Sequence, residues 1–304
     1  MTYKIFAVSW LITFITLSCT PNTKDIINID GSSTVFPISQ AIISEYNKTN
    51  PSTQININFS GTGDGFKKFC VGEIDINNAS RAITAEERNI AKANNINFIE
   101  LPIALDGITV VVNKNNTWAT ELTTEELTKI WSKESKVSKW SDLHSNWPDK
   151  KIELYGPGPH SGTFDYFTEV IIGKTQTSRD DYFKNRNNDV LVTDVAGDTN
   201  ALGYLSYSYF KKNQDKLKAV AISHQKNAKI FPDLTTISKG TYQPLTRVLY
   251  LYINTDRLAQ NKKFRNYMNF FMEVAPSMVF QSGFAQLKDD QYKRNLIILE
   301  KYNL

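Results

Sequence analysis

The sequence is poor in the residues that build metal sites and covalent staples. Its 304 residues include two Cys and three His, too few and too scattered for a zinc framework or a disulfide scaffold. An excess of one charge is also missing: 35 Lys and Arg stand against 31 Asp and Glu, a net charge of +4. The one notable basic cluster is Lys67-Lys68. A nucleic-acid-binding surface needs a basic stripe, so that class is excluded. No apolar run reaches the roughly 18 residues of a membrane-spanning helix. Gly (14) and Pro (10) are at ordinary levels, which excludes collagen-like and low-complexity chains. No internal repeat is visible. What remains is a globular chain long enough for roughly two domains of about 150 residues.

Its first residues read as an export signal over 1–19. Met1 to Lys4 form a short n-region, Ile5 to Leu17 an apolar h-region, and Ser18-Cys19 follow. A small residue directly before Cys19 points to lipoprotein processing, with Cys19 as the lipidated N-terminus. Thr16 stands where such signals usually carry Leu. Ordinary cleavage nearby and an uncleaved anchor are the alternatives. Residues 20–25 are polar and read as a tether. Cys70 is then left without a partner. With Phe66 and Phe69 on the same helix face, it reads as a buried, inert thiol; a Cys19–Cys70 disulfide is the alternative.

Downstream, strand and helix signals alternate, which predicts α/β architecture with largely parallel sheets. Strands are expected at Ile26–Asp30, Ile55–Phe59, Ile74–Ile76, Ile152–Tyr155, Val190–Val192, Ala219–Ile222 and Arg247–Ile253. Ile108–Val112 is continuously β-branched, as in a strand buried on both faces. Helices are expected from Pro37, Phe66, Thr84 (with Glu87 completing a capping box) and Thr123. Others are expected at Phe164–Ile172, Tyr204–Lys211, Arg265–Val274 and Tyr292–Leu299. Trp118, Trp131, Trp140 and Trp147 read as packing residues. Glu86-Glu87-Arg88 and Lys211-Lys212 read as solvated helix faces.

Three times a strand ends in a Gly/Ser/Thr loop and a helix begins at once: Ser33-Thr34, Thr62-Gly63-Asp64 and Ser161-Gly162-Thr163. A helix start leaves amide N–H groups unpaired and carries roughly half a positive charge. Glycines permit close approach and hydroxyls add donors, so three such loops together suit a tetrahedral oxyanion. At the carboxyl ends of strands in an open α/β sheet, they would stand where ligands bind.

Several segments of the sequence resemble PstS-type phosphate-binding proteins, the substrate-binding subunits of phosphate ABC importers. They are Asp30-Gly31-Ser32-Ser33-Thr34-Val35-Phe36-Pro37, Ser60-Gly61-Thr62-Gly63-Asp64-Gly65-Phe66, Ala79-Ser80-Arg81 and Ser161-Gly162-Thr163-Phe164, joined by Trp140-Ser141-Asp142-Leu143 and Ala201-Leu202-Gly203-Tyr204. They occur in order across most of residues 26–300. The resemblance implies a two-lobed type II periplasmic-binding-protein fold with the ligand in the cleft between lobes. Lobe 1 is expected at 26–107 plus 235–304 and lobe 2 at 108–234, with a return crossover near Phe231-Pro232 and Pro244. It also implies oxyanion contacts from Ser33, Thr34 and Val35, from Thr62 and neighbouring Gly63, and from Ser161, Gly162 and Thr163. Inorganic phosphate and membrane permease subunits are the implied partners. No cofactor is implied, and the exported protein is expected to be a monomer held at the membrane by its lipid anchor.

Two departures from the family pattern stand out. Arg81 occupies the place of a carboxylate that accepts the proton of hydrogen phosphate, and Pro157 the place of an Arg. Arg81 is therefore expected to supply the site's cation, as in a family subgroup carrying Ala-Ser-Arg. Asp64 is the first candidate for the displaced proton acceptor and Asp165 the second. The rival functions are binding of sulfate, molybdate or arsenate, a secreted hydrolase with Ser161 as nucleophile, and a sensor partnered with a signalling receptor. His160 beside Ser161 is poorly placed as a base, because adjacent side chains rarely meet.

Overall fold

The computed structural model describes residues 26–225 and 228–302. The signal segment, the tether and Cys19 lie outside the described residues. The chain begins with β1 (Ile27–Gly31), α1 (Phe36–Asn47), β2 (Ile55–Ile57), α2 (Thr62–Phe69), β3 (Ile76–Ala79) and α3 (Ala85–Ala93). Local chemistry starts these helices: Pro37 lies in the first turn of α1, where its missing N–H costs nothing. The capping box of Thr84 and Glu87 opens α3. β2 and β3 pair in parallel with either edge of β1.

β4 (Phe98–Asn113) is the long strand that joins the two lobes. Its first part contributes Leu101, Ile103 and Ala104 to one hydrophobic core. Its second part, Ile108 and Val110–Val112, is wholly buried in another, at about 1.5–3 kcal/mol for each large side chain. The second lobe then runs through β5 (Glu121–Thr123), α4 (Thr124–Trp131), β6 (Glu153–Gly156), α5 (Gly162–Phe167), β7 (Phe183–Lys184), α6 (Asn188–Gly197), β8 (Ala201–Ser206), α7 (Tyr207–Lys212), β9 (Leu217–Ala219) and β10 (Ala221–Ser223). Trp131 and Trp140 are buried in its core, with Trp118 and Trp147 packed against it. β11 (Thr246–Asn254) returns antiparallel to both β3 and β4. Ile237, Tyr242 and Leu245 still pack in the second core, while Leu249 onward packs in the first.

Three local expectations are corrected. Val190–Val192 is helical, because the Asn187 side chain caps the Asp189 N–H and Leu191, Val192 and Val195 turn one face to the core. Tyr204 belongs to β8, paired with Val110 of β4, and helix begins only at Tyr207. The helix after the third loop starts at Gly162 and widens into a π-helical turn over Thr168–Ile172. There Thr168 Oγ1 donates to backbone carbonyls, including that of Phe164. Cys70 is buried, its Sγ 3.3 Å from the Glu87 carbonyl oxygen, and burial pushes the thiol up to about 11.

Candidate functional site

Asp30, at the end of β1, holds the first two loops together. Its Oδ1 accepts the N–H groups of Gly31 (2.7 Å) and Ser60 (2.8 Å), and Oδ2 pairs with Lys68. Gly31 sits at φ +121°, and a Cβ there would overlap the Asn78 carbonyl oxygen at 2.2 Å, so the turn requires glycine. Burial raises the Asp30 pKa, but Lys68 and the two amides outweigh it and leave the carboxyl below its ordinary value. A depressed folded-state pKa contributes stability above the unfolded value of about 3.9, lost as pH falls through the folded value. Asp30→Asn is thus expected to flatten the loss of stability below about pH 4. Chemical denaturation across that range checks this, and an unchanged slope would refute it.

The three loops meet at a closed seam between the lobes. Thr62 Oγ1 lies 3.1 Å from Ser80 Oγ within the first lobe. Across the seam, Thr34 Oγ1 is 3.4 Å from Thr163 Oγ1, and the Gly63 N–H donates to the His160 carbonyl at 3.2 Å. Gly162 is pressed so close that a Cβ would stand 2.2 Å from Ser80 Oγ and 2.5 Å from Thr62 Oγ1. Ser161 caps α5, its Oγ accepting the Thr163 N–H at 3.3 Å. The His160 ring faces Lys67 and Asp64, not Ser161. Thr34, Thr62, Ser80, Ser161 and Thr163 are all buried. Val35 is wholly buried among apolar side chains.

Two expected site residues have other partners. Asp64 lies at the rim, with Oδ1 3.0 Å from Lys67 Nζ and Oδ2 3.1 Å from Arg186 Nη1 of the second lobe. Arg81 donates to Asp165 Oδ2 (2.8 Å), to both carboxylate oxygens of Glu87 (2.9 and 2.8 Å) and to the Ala82 carbonyl. Glu87 is therefore a partner of Arg81, not part of a solvated face. Burial works against the Arg81 cation, but Glu87 and Asp165 outweigh it and hold its pKa above the ordinary value. Burial also pushes the Asp165 carboxyl up, with Arg81 only partly offsetting it. Beside this pair a cavity of about 630 Å³ opens, lined by Arg81, Tyr166, Arg247 and Tyr250 among others.

Arg247 and Asp106 escape a reading of the sequence as sites. Each is a single charge inside an apolar strand run, and that incongruity is the signal that marks them. Arg247 Nε and Nη2 donate to Asp106 Oδ2 at 3.1 and 2.8 Å, and Ser206 Oγ donates to Asp106 Oδ1 at 2.7 Å. Arg247 Nη2 also reaches Thr34 Oγ1 (3.2 Å) and Thr163 Oγ1 (2.8 Å), one from each lobe. Burial pushes the Asp106 carboxyl up, against the pull of Arg247 and Ser206.

Comparison with known proteins finds relatives along most of the chain. The family model of the PBP superfamily domain matches residues 19–274. Protein SphX of Synechocystis sp. is 38% identical over 93% of this chain and 85% of its own length. The phosphate-binding protein PstS of Staphylococcus haemolyticus is 36% identical over 90% of this chain and 85% of its own. The crystal structure of a possible phosphate binding protein from Planctomyces limnophilus is 43% identical, covering 91% of this chain and 98% of its own with a TM-score of 0.69. A two-lobed α/β fold closing three donor loops on one seam, with relatives of this identity along nearly its whole length, places the chain in the PBP superfamily, among the PstS-type phosphate-binding proteins.

Proposed function

We propose that this exported protein captures inorganic phosphate between its lobes and delivers it to the permease of an ABC importer. The observation that carries the reading is the buried seam where Thr34, Thr62 and Thr163 hydroxyls and three helix starts converge. Such a seam offers neutral donors to a tetrahedral oxyanion without requiring covalent chemistry. Ser33, Thr34 and Val35, Thr62, and Ser161, Gly162 and Thr163 are assigned as its contacts. Capture and release proceed by lobe closure and opening. The protein works as a monomer tethered through lipidated Cys19, and the mass of the mature N-terminal peptide tests the lipid.

Phosphate differs from sulfate by its proton, so selectivity needs an acceptor that sulfate would meet as a repulsive charge. Asp165 is assigned that role in place of Asp64. Its Oδ1 is buried without a hydrogen-bond partner, whereas both Asp64 oxygens face cations at the rim. Calorimetric titration with phosphate and sulfate near pH 5 and pH 8 tests the reading. Phosphate is expected to bind 1:1 at both, with sulfate silent. Asp165→Asn is expected to narrow the gap between the two ions by about tenfold or more, since it removes the buried repulsive charge. Asp64→Asn should leave the gap intact. Sulfate binding as tightly as phosphate to the unaltered protein would overturn the ion, and unchanged selectivity in Asp165→Asn would overturn the acceptor.

A further inference from the structure

Arg247 is 2% exposed, and its Nη1 is buried without a hydrogen-bond partner. Folded proteins rarely leave a buried charged donor unpaired. The geometry explains the exception. A guanidinium has two usable edges; Asp106 takes the Nε/Nη2 edge, and the shared Nη2 reaches Thr34 and Thr163. The cluster is rich in donors: the spare Nη1 hydrogens and two hydroxyls stand together with no acceptor of their own beyond one another. An anion with several oxygens is what such a cluster lacks.

Resting on the phosphate reading above, we infer that Arg247 is the cationic ligand of the bound anion, with Asp106 and Ser206 as the residues that position it. Arg81 instead clasps the two lobes through Asp165. The position of Arg247 suits this role. β4 and β11 are the strands that cross between the lobes, and Asp106 and Arg247 face each other in their register. The cation therefore sits at the crossing, within reach of a loop from each lobe. Asp106 keeps the guanidinium from swinging out when the lobes part.

The test is phosphate titration of the full chain. Arg247→Gln alone would strand the Asp106 charge and threaten folding, so the decisive variant is Arg247→Gln with Asp106→Asn, which keeps a neutral hydrogen-bonded pair. Its melting temperature without phosphate is expected to match that of the unaltered protein. Its phosphate affinity is expected to fall about 100-fold, the usual scale for losing a desolvated charged ligand. Arg247→Lys, keeping the charge but not the fork, should recover about tenfold of that loss. A double variant that folds and binds phosphate as the unaltered protein does would overturn this inference alone. If the unaltered protein takes up no phosphate, the phosphate reading falls and this one with it.

Discussion

Gly162→Ala is expected to leave the unliganded protein folded while weakening phosphate binding about 10- to 100-fold, the scale of overpacking a tight contact. The reason lies in which atoms the new methyl group meets. Gly162 belongs to the second lobe, and the atoms in its way, Ser80 Oγ at 2.2 Å and Thr62 Oγ1 at 2.5 Å, belong to the first. Those hydroxyls also bond to each other, so neither moves without loss. In an open molecule the methyl meets nothing from the first lobe, and alanine favours the helix that begins there. The penalty therefore falls on closure. Melting without phosphate should be unchanged or slightly raised, and small-angle scattering with saturating phosphate should report a more open molecule. A variant that closes and binds like the unaltered protein would show that the lobes meet less tightly in solution.

Arg81→Ala is expected to weaken phosphate binding by about 100-fold or more, because removing one partner of a buried ion pair costs about 3–5 kcal/mol. Asp165 is 1% exposed beside Arg81, and in the closed molecule it would be left without its cation. When the lobes open it regains water, so the cost again falls on the closed state and should appear as faster phosphate release. Glu87 loses its partner within the first lobe, which should lower the melting temperature as well. The pH dependence has a definite sign. Burial already pushes the Asp165 carboxyl up, and a protonated Asp165 needs no cation. The ratio of variant to unaltered affinity should therefore recover as pH falls from 8 toward 5. A ratio independent of pH would mean that Asp165 does not carry the penalty.

The rim offers a contrast. Asp64, Lys67 and Arg186 bring charges from both lobes together, yet Arg186 and Lys67 are largely exposed, where ion pairs contribute little. The buried Arg81–Asp165 pair is the stronger hold on closure.

Much of this was legible in the sequence because it is local. A strand ending, a Gly/Ser/Thr turn and a helix start occupy a few consecutive residues, so Ser33-Thr34, Thr62-Gly63 and Ser161-Gly162-Thr163 announce three strand-to-helix loops. The β-branched run Ile108–Val112 announces a strand buried on both faces, and the alternation of elements announces an α/β fold. Short apolar runs such as Val190–Val192 are less legible, since three residues carry no periodicity and a single capping Asn decided for helix.

What the tertiary structure alone decided is which charges meet. Arg247 and Asp106 are 141 residues apart, and Arg81 and Asp165 are 84 apart. Arg247 and Asp106 read in their own segments as isolated charges, and nothing local pairs Arg81 with Asp165. Whether a carboxylate faces water, a lysine or an arginine depends on the strand register and lobe closure that bring distant segments together. The environment that sets its pKa and its role is therefore absent from its neighbours in the chain. So the sequence determined the fold, the three loops and the class of ligand they suit. Folding determined that Asp64 bridges the rim, that Arg81 clasps the lobes, and that a buried arginine stands at their crossing, because desolvation and ion pairing act through space.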